Sequence, residues 1–342
     1  MTNLVSGESP ARLSLSEARA LAGRMAMDAI KRASGPAAPI TDYMRASMGK
    51  GVRSLLLLIC AADSALSVPA KAIYLASAVE IFHLATLVHD DIIDDAPTRR
   101  GAESVQGKFG KKNAVITGDY LLCAALSTAS KAVEENDLRN ESENGFMFFN
   151  RYMNSFMRIC LGEMDEVVNS GNISLSPRRY LKIISGKTAE LFRVSALIGA
   201  ASAGERERLG QIGLIGWNLG MIFQIVDDCK DYGYNAESAQ KPVKHDLTQG
   251  VVTLPLILAL AKAPDLAGEV KDVFSRQRES ADLAETVRKA GGVDMALSVA
   301  KRYAQKAERL ADSLFDGLKR DKTREMINSA LSASASFDPA GA

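Results

Sequence analysis

Two clusters of aspartates carry the strongest chemical signal in the sequence. Asp90-Asp91-Ile92-Ile93-Asp94, with Asp95 beside it, and Asp227-Asp228-Cys229-Lys230-Asp231 both place acids at i, i+1 and i+4. On a helix, at 100° per residue, these three positions fall within one 100° arc, so each cluster is predicted to present three carboxylates on one face. Each also ends a long apolar stretch. The helix dipole disfavours anions at that end, and crowded acids raise each other's pKa, so something positive must offset the arrangement. Hard oxygen donors with room for water suit Mg²⁺, which usually takes one or two carboxylates plus substrate phosphates. A lone cluster of this kind reads equally well as a solvated acidic face. Two of them, each closing an apolar helix and lying 227 − 90 = 137 residues apart, point to a metal and phosphate site that only folding can assemble.

Positive charge is placed to match. Lys50 and Arg53 flank a glycine turn before an apolar stretch, and Arg99-Arg100-Gly101 follows the first acidic cluster directly. Arginine grips phosphate through paired hydrogen bonds, and lysine supplies a point charge. Taken alone, Arg99 and Arg100 are ordinary surface residues; a few residues beyond an acidic triad they read as a diphosphate clamp, which Lys187 and Lys241 could complete.

The elements that must position these groups are helices. No stretch keeps a period-two alternation. Ser14 followed by Glu17 resembles a helix-starting box. Helices are predicted over 49–62, 70–95 (stopped by Pro97), 113–133, 146–169, from 177 to about 204, 205–232 and 253–263, with amphipathic helical spacing over 264–331. Residues 134–145 read as a loop and 234–252 as a polar connection. A single helical domain is expected over 15–331, between loose ends at 1–14 and 332–342.

Of the 342 residues 47% are hydrophobic and 24% charged, an ordinary globular balance with material for a large core. A net charge of +1 offers no broad basic surface, so nucleic acid is not an expected partner. Cys60, Cys123, Cys160 and Cys229 form no CxxC pair and read as structural thiols of a reducing compartment. The first residues lack a basic-then-apolar leader pattern. Residues 209–226 carry no charge, but Gln211, Asn218 and Gln224 interrupt them and Asp227 follows, so a buried helix is expected rather than a membrane span. The expected location is cytoplasmic.

With these residues in view, the chain resembles the trans (all-E) isoprenyl diphosphate synthases of the polyprenyl synthetase family. The resemblance runs from Gly49-Lys50-Gly51-Val52-Arg53 through Glu80-Ile81-Phe82-His83, His89 to Gly101, Gly118-Asp119-Tyr120-Leu121-Leu122 and Gly186-Lys187-Thr188-Ala189. It continues through Phe223-Gln224-Ile225-Val226-Asp227-Asp228 to Thr253-Leu254-Pro255. It implies an all-α, isoprenoid-synthase-type bundle of about ten or more helices around a central cavity. It also implies condensation of isopentenyl diphosphate with an allylic diphosphate, three Mg²⁺ ions per active site, and a homodimer. Under it, Asp90, Asp91 and Asp94 with Asp227 would hold the metal ions, and Asp231 would support the second cluster beside Asp228. Arg99, Lys187 and Lys241 would contact the allylic diphosphate. Lys50, Arg53, His83 and Arg100 would hold isopentenyl diphosphate, and Thr188 and Gln224 would lie near the breaking carbon–oxygen bond. On bare sequence, His83 is otherwise a hydrogen-bonded interior histidine.

The chain departs from the family's pattern in places. Glu166 stands in Gly162-Glu163-Met164-Asp165-Glu166 where the family commonly has glutamine. Val251 replaces a cation after Gln240, Lys241, Asp246 and Gly250, and Ser54 replaces a proline. Product length is expected to depend on the helix before Asp90, since one turn of about 5.4 Å approximates one isoprene unit. Ala85 and Thr86 are small and leave the first turn open. Phe82, a turn further back, either closes the tunnel or packs in the core, with Phe149, Met153 or Phe156 then forming a deeper floor. Medium or long products are expected. A shorter geranylgeranyl or farnesyl product, a regulatory subunit of a heteromeric synthase and a terpene cyclase are the competing readings. The second aspartate cluster argues against the last.

Overall fold

The structure, a computed structural model, describes residues 12–30, 35–45, 49–99, 101–132, 142–233, 247, 250–275, 277 and 280–332, with side chains described in these ranges except at 45, 142–152 and 280. The fold is all-α. In chain order the helices are α1 (Leu15–Ile30), α2 (Ala38–Arg45), α3 (Val52–Ala61), α4 (Ala70–Ile93), α5 (Val105–Phe109), α6 (Lys111–Ala129), α7 (Ser142–Val168), α8 (Pro177–Ile184), α9 (Glu190–Ser202), α10 (Leu209–Lys230), α11 (Leu254–Lys262), α12 (Leu266–Phe274), α13 (Ser280–Lys289), α14 (Gly292–Leu314) and α15 (Gly317–Ser332). Two antiparallel strand pairs accompany them, β1 (Arg12–Ser14) with β2 (Ser67–Pro69) and β3 (Thr98–Arg99) with β4 (Ala102–Glu103).

Two compact units are distinguished: residues 1–149, 195–210 and 316–319, and residues 150–194, 211–315 and 320–342. In the first, α4 packs along α6, with α1 and α3 also against it. Its interior residues from Ala72 to Val88 are buried on nearly every side, as expected of a helix apolar all round. In the second, α10 is buried in the same manner from Ile212 to Cys229, and α11 packs on α14. Both α4 and α10 are long and apolar enough to cross a membrane, yet 72% and 61% of their apolar windows is buried within the protein.

Local rules explain most boundaries. The Ser14 hydroxyl donates to Glu17 Oε2 (2.6 Å) and accepts from the Glu17 amide (3.4 Å), while the Ser14 amide also donates to Oε2 (3.0 Å). This is the reciprocal helix-starting box. Of the segment read as loose, residues 12–14 pair as β1. Helix α4 stops two residues short of the expected end. Asp95 takes a left-handed conformation (φ 48°), and the Ala96 amide returns to the Asp91 carbonyl (2.9 Å). The single helix expected over 177–204 is instead broken: a π-helical turn, Ser185–Ala189, separates α8 from α9. Of the predicted loop at 134–145, residues 142–145 belong to α7, and 134–141 lie outside the described residues. Cys60 and Cys229 are buried, and Cys123 and Cys160 are exposed.

One tie spans most of the chain's length within the first unit. The Lys319 ammonium donates to the carbonyls of Cys60 (2.9 Å) and Ala62 (2.8 Å) at the end of α3, where a cation complements the unpaired carbonyls and the dipole. Burial lowers the Lys319 pKa, the sign of an ammonium held largely out of water. Lys319→Met should therefore destabilise the protein by about 2 kcal/mol, read as a lower denaturant midpoint. An unchanged midpoint would show that the tie contributes nothing.

Candidate active site

The two acidic clusters share one local design, seen in each unit by itself. At the end of α4, Asp91 is buried (3% exposed), whereas Asp90 and Asp94 are half-buried. Arg99 Nε donates to Asp91 Oδ1 at 2.7 Å. The β3–β4 hairpin delivers Arg99 to that point, and buried Gln106 of α5 donates to the carbonyls of Asp91 (2.6 Å) and Ala96 (3.0 Å). The helix end is thus capped by a side chain, and the middle aspartate is turned inward to a guanidinium. A buried carboxylate bonded to arginine fixes the arginine's planar fork as much as the reverse.

At the end of α10, Asp228 is likewise buried (3% exposed), while the Asp227 side chain is 55% exposed and Asp231 is half-buried. Here, among the described residues, the middle acid is anchored by neutral donors. The Tyr180 hydroxyl donates to Asp228 Oδ2, and Gln224 Nε2 donates to Oδ1 at 2.7 Å. The Thr188 hydroxyl in turn donates to Gln224 Oε1 (2.7 Å), which orients the amide. Burial pushes the Asp228 carboxyl up to about 8, against the lowering effect of its two donors; the nearby Asp227 and Glu166 carboxylates add to the rise. Tyr180 is raised well above its usual range, chiefly by burial. Lys230 pairs with Asp227 Oδ1 at 3.0 Å.

Lys187 and Thr188 sit in the π-helical turn, a local widening common at functional sites. A close helix crossing sets its position. A Cβ on Gly162 of α7 would lie 2.2 Å from the Lys187 amide nitrogen and 2.7 Å from the Gly186 carbonyl carbon, so only glycine permits this approach. The crossing brings Lys187 Nζ to Glu163 (3.1 Å) and to Glu166. Nearby, Arg193 donates to both oxygens of Glu190 (2.8 and 2.6 Å) and to Ser155 Oγ of α7 (3.3 Å), tying α9 to α7.

In the first unit, Arg53 of α3 and His83 of α4 meet at 3.0 Å between Nη1 and Nε2. A guanidinium only donates, so in this geometry the imidazole nitrogen is the acceptor. The buried Glu80 accepts from the Ser54 amide (3.1 Å) in the first turn of α3, a use of an N–H that a proline at that position would lack. Lys50 is exposed, and its carbonyl accepts from Arg19 (2.8 Å). A Cβ at Gly118 of α6 would fall 2.1 Å from His89 Nε2, so this glycine makes room for the imidazole beside the first cluster. Phe82 is buried (5% exposed), Ala85 is wholly buried, and the half-buried Thr86 donates to the His83 carbonyl (2.8 Å). Met153 and Phe156 are half-buried. Arg100, Lys241 and Asp246 lie outside the described residues, as does the Phe149 side chain.

Tyr180, Gln106 and the pairing of Glu163 with Lys187 are not legible in the sequence. Tyr180 carries only the signal of an aromatic on the buried face of an amphipathic helix, which is ordinarily packing. Among the described residues no three acidic, histidine or cysteine side chains converge as a preformed metal cage. The donor set nonetheless fits a hard cation: two partly open carboxylates one turn apart at each helix end leave coordination positions for water and phosphate oxygens.

Residues 37–290 match the family described as polyprenyl synthetase. The chain belongs to that family. Heptaprenyl diphosphate synthase component 2 of Bacillus subtilis is 33% identical over 262 residues, covering 76% of this chain and 72% of that protein. Geranylgeranyl diphosphate synthase of Sulfolobus acidocaldarius is 31% identical over 270 residues, covering 78% and 80%. Among solved structures, heptaprenyl diphosphate synthase from Staphylococcus aureus is similar with a TM-score of 0.83 at 27% identity, covering 94% of this chain and 99% of that one. A polyprenyl synthase from Caulobacter crescentus, solved with calcium and isoprenyl diphosphate, gives 0.81 at 29% identity, covering 93% and 95%. The polyprenyl synthetase is accordingly a prenyltransferase, of a family that is generally metal-dependent.

The raised carboxyl of this polyprenyl synthetase has a thermodynamic consequence. A group whose folded pKa exceeds its unfolded one stabilises the fold below the unfolded value, and that contribution is lost as pH rises through the folded value. For Asp228 the window runs from its ordinary 3.8 to about 8. In metal-free buffer the melting temperature should therefore decline over this range more steeply for the natural protein than for Asp228→Asn. Equal slopes would show that Asp228 is ionised throughout.

Proposed function

We propose that the protein is a Mg²⁺-dependent trans-prenyltransferase that condenses isopentenyl diphosphate with an allylic diphosphate, 1′-4 and head to tail, giving a medium- or long-chain all-trans polyprenyl diphosphate. The observation that carries this reading is the repeated cluster design: in each unit the middle aspartate is anchored inward, while the acids one turn apart stay partly open. Magnesium ions, when bound, would neutralise charge developing on the departing diphosphate. Asp90 and Asp94 in one unit and Asp227 and Asp231 in the other are the donors suited to hold them. Arg99, oriented by Asp91, and Lys187 would bind the allylic diphosphate. Lys50, Arg53 and His83 would bind isopentenyl diphosphate. Thr188 and Gln224 would line the breaking bond. The proton lost after attack would leave with the released diphosphate, so no dedicated side-chain base is required. A homodimer in the cytoplasm, with about three ions per site, completes the proposal.

Names of relatives support a range of lengths, from geranylgeranyl to hexaprenyl, heptaprenyl, octaprenyl and decaprenyl products. One observation favours a second reading of the assembly: two relatives are named as component 2 of a heptaprenyl synthase, so a partner subunit would be needed here too.

The test is product sizing. With Mg²⁺, labelled isopentenyl diphosphate and, separately, C5, C10, C15 and C20 primers, purified protein should yield a ladder ending beyond twenty carbons. No extension of any primer by folded, Mg²⁺-binding protein would overturn the single-subunit reading. Where Phe82 closes the tunnel, Phe82→Ala should lengthen the product by one isoprene unit or more, because one helical turn of about 5.4 Å is opened. An unchanged endpoint with a lower melting temperature would make Phe82 a core residue and move the floor to another helix.

A further inference from the structure

The environment of Lys187 departs from that of a simple phosphate-binding lysine. Its ammonium is bonded to two carboxylates at once, Glu163 and Glu166, both largely buried beside it. The Glu166 carboxylate thus adds negative charge directly beside the lysine, where a diphosphate is to bind. Like charges in partly desolvated surroundings interact strongly. The reach of Glu166 is visible further along the same unit, since its charge helps to raise both Asp228 and Tyr180. Glu163 alone would hold the lysine, and an amide at 166 would keep the hydrogen bond without the charge.

We propose that Glu166 is a positioning residue that sets how tightly the enzyme holds a diphosphate: by bonding to Lys187 beside Glu163 it offsets the lysine's charge and weakens the grip on the allylic substrate and on released diphosphate. This deepens the proposed function and rests on it. Glu166 touches no reacting atom; it acts through Lys187 and through its own field.

The test is calorimetric binding of inorganic diphosphate, with Mg²⁺ present, to the natural protein, Glu166→Gln and Glu166→Asp. The amide variant should bind diphosphate roughly 3- to 30-fold more tightly, the range expected for removing one charge several ångströms away. The aspartate variant, which keeps the charge, should stay near the natural value. In steady-state assays the KM for the allylic diphosphate should fall in Glu166→Gln while that for isopentenyl diphosphate holds, because Lys50, Arg53 and His83, assigned to the latter, lie just before α3, on α3 and on α4. Equal or weaker diphosphate binding by Glu166→Gln would overturn the proposal, as would Glu166→Asp tightening as much as the amide. If the natural protein extends no primer, the proposed activity fails, and the diphosphate comparison alone then upholds or overturns the role of Glu166.

Discussion

Carboxylates gathered at the C-terminal end of an apolar helix meet three penalties: the helix dipole, their mutual repulsion, and the loss of water from whichever one faces the core. The protein meets them twice, and the rest of the site follows from how. In each cluster one acid is given up to the interior and bonded there, Asp91 to Arg99 and Asp228 to Tyr180 and Gln224. The other two, a turn apart by their spacing in the sequence, stay partly open to solvent. The anchoring partners are then themselves oriented: Arg99 by Asp91, and Gln224, with Thr188 behind it, by Asp228.

The two anchors differ in a way that matters for charge. Asp91 is paired with a cation, whereas the donors to Asp228 among the described residues are neutral, and its carboxyl is pushed up to about 8 by burial. Glu166 and Lys187 sit in the same unit, positioned by the glycine-only crossing of α7 with the π-helical turn. A break in the helix, a close backbone approach and an ion pair combine to hold one lysine.

Much of this was legible in the sequence, for reasons that can be named. The acidic spacing, the apolar run-in to each cluster and the box at Ser14 and Glu17 are local patterns, and local patterns survive without a fold. The family resemblance, carried by the motifs around Gly49, His89, Gly186 and Phe223, agrees with the family to which the chain belongs. What was not legible depends on partners distant in the chain. A 100° arc holds three carboxylates, but it does not say that Arg99 and Tyr180 draw the middle one inward. Nor does the helical reading of 177–204 reveal the π turn, which is packed closely against Gly162 of α7, a partner distant in the chain. The early end of α4 has the same character: Gln106, on α5, bonds the carbonyls of Asp91 and Ala96 on either side of the turn that closes the helix.

The division of labour within a cluster is most directly tested by Mn²⁺ binding, followed by electron paramagnetic resonance in the presence of inorganic diphosphate, together with the melting temperature of each variant. Asp90→Asn and Asp94→Asn are expected to lose metal binding and to melt like the natural protein. Asp91→Asn is expected to melt lower, consistent with a broken buried ion pair worth about 3 kcal/mol, while the metal still binds. An Asp91→Asn protein that melts normally but no longer binds the metal would contradict the account.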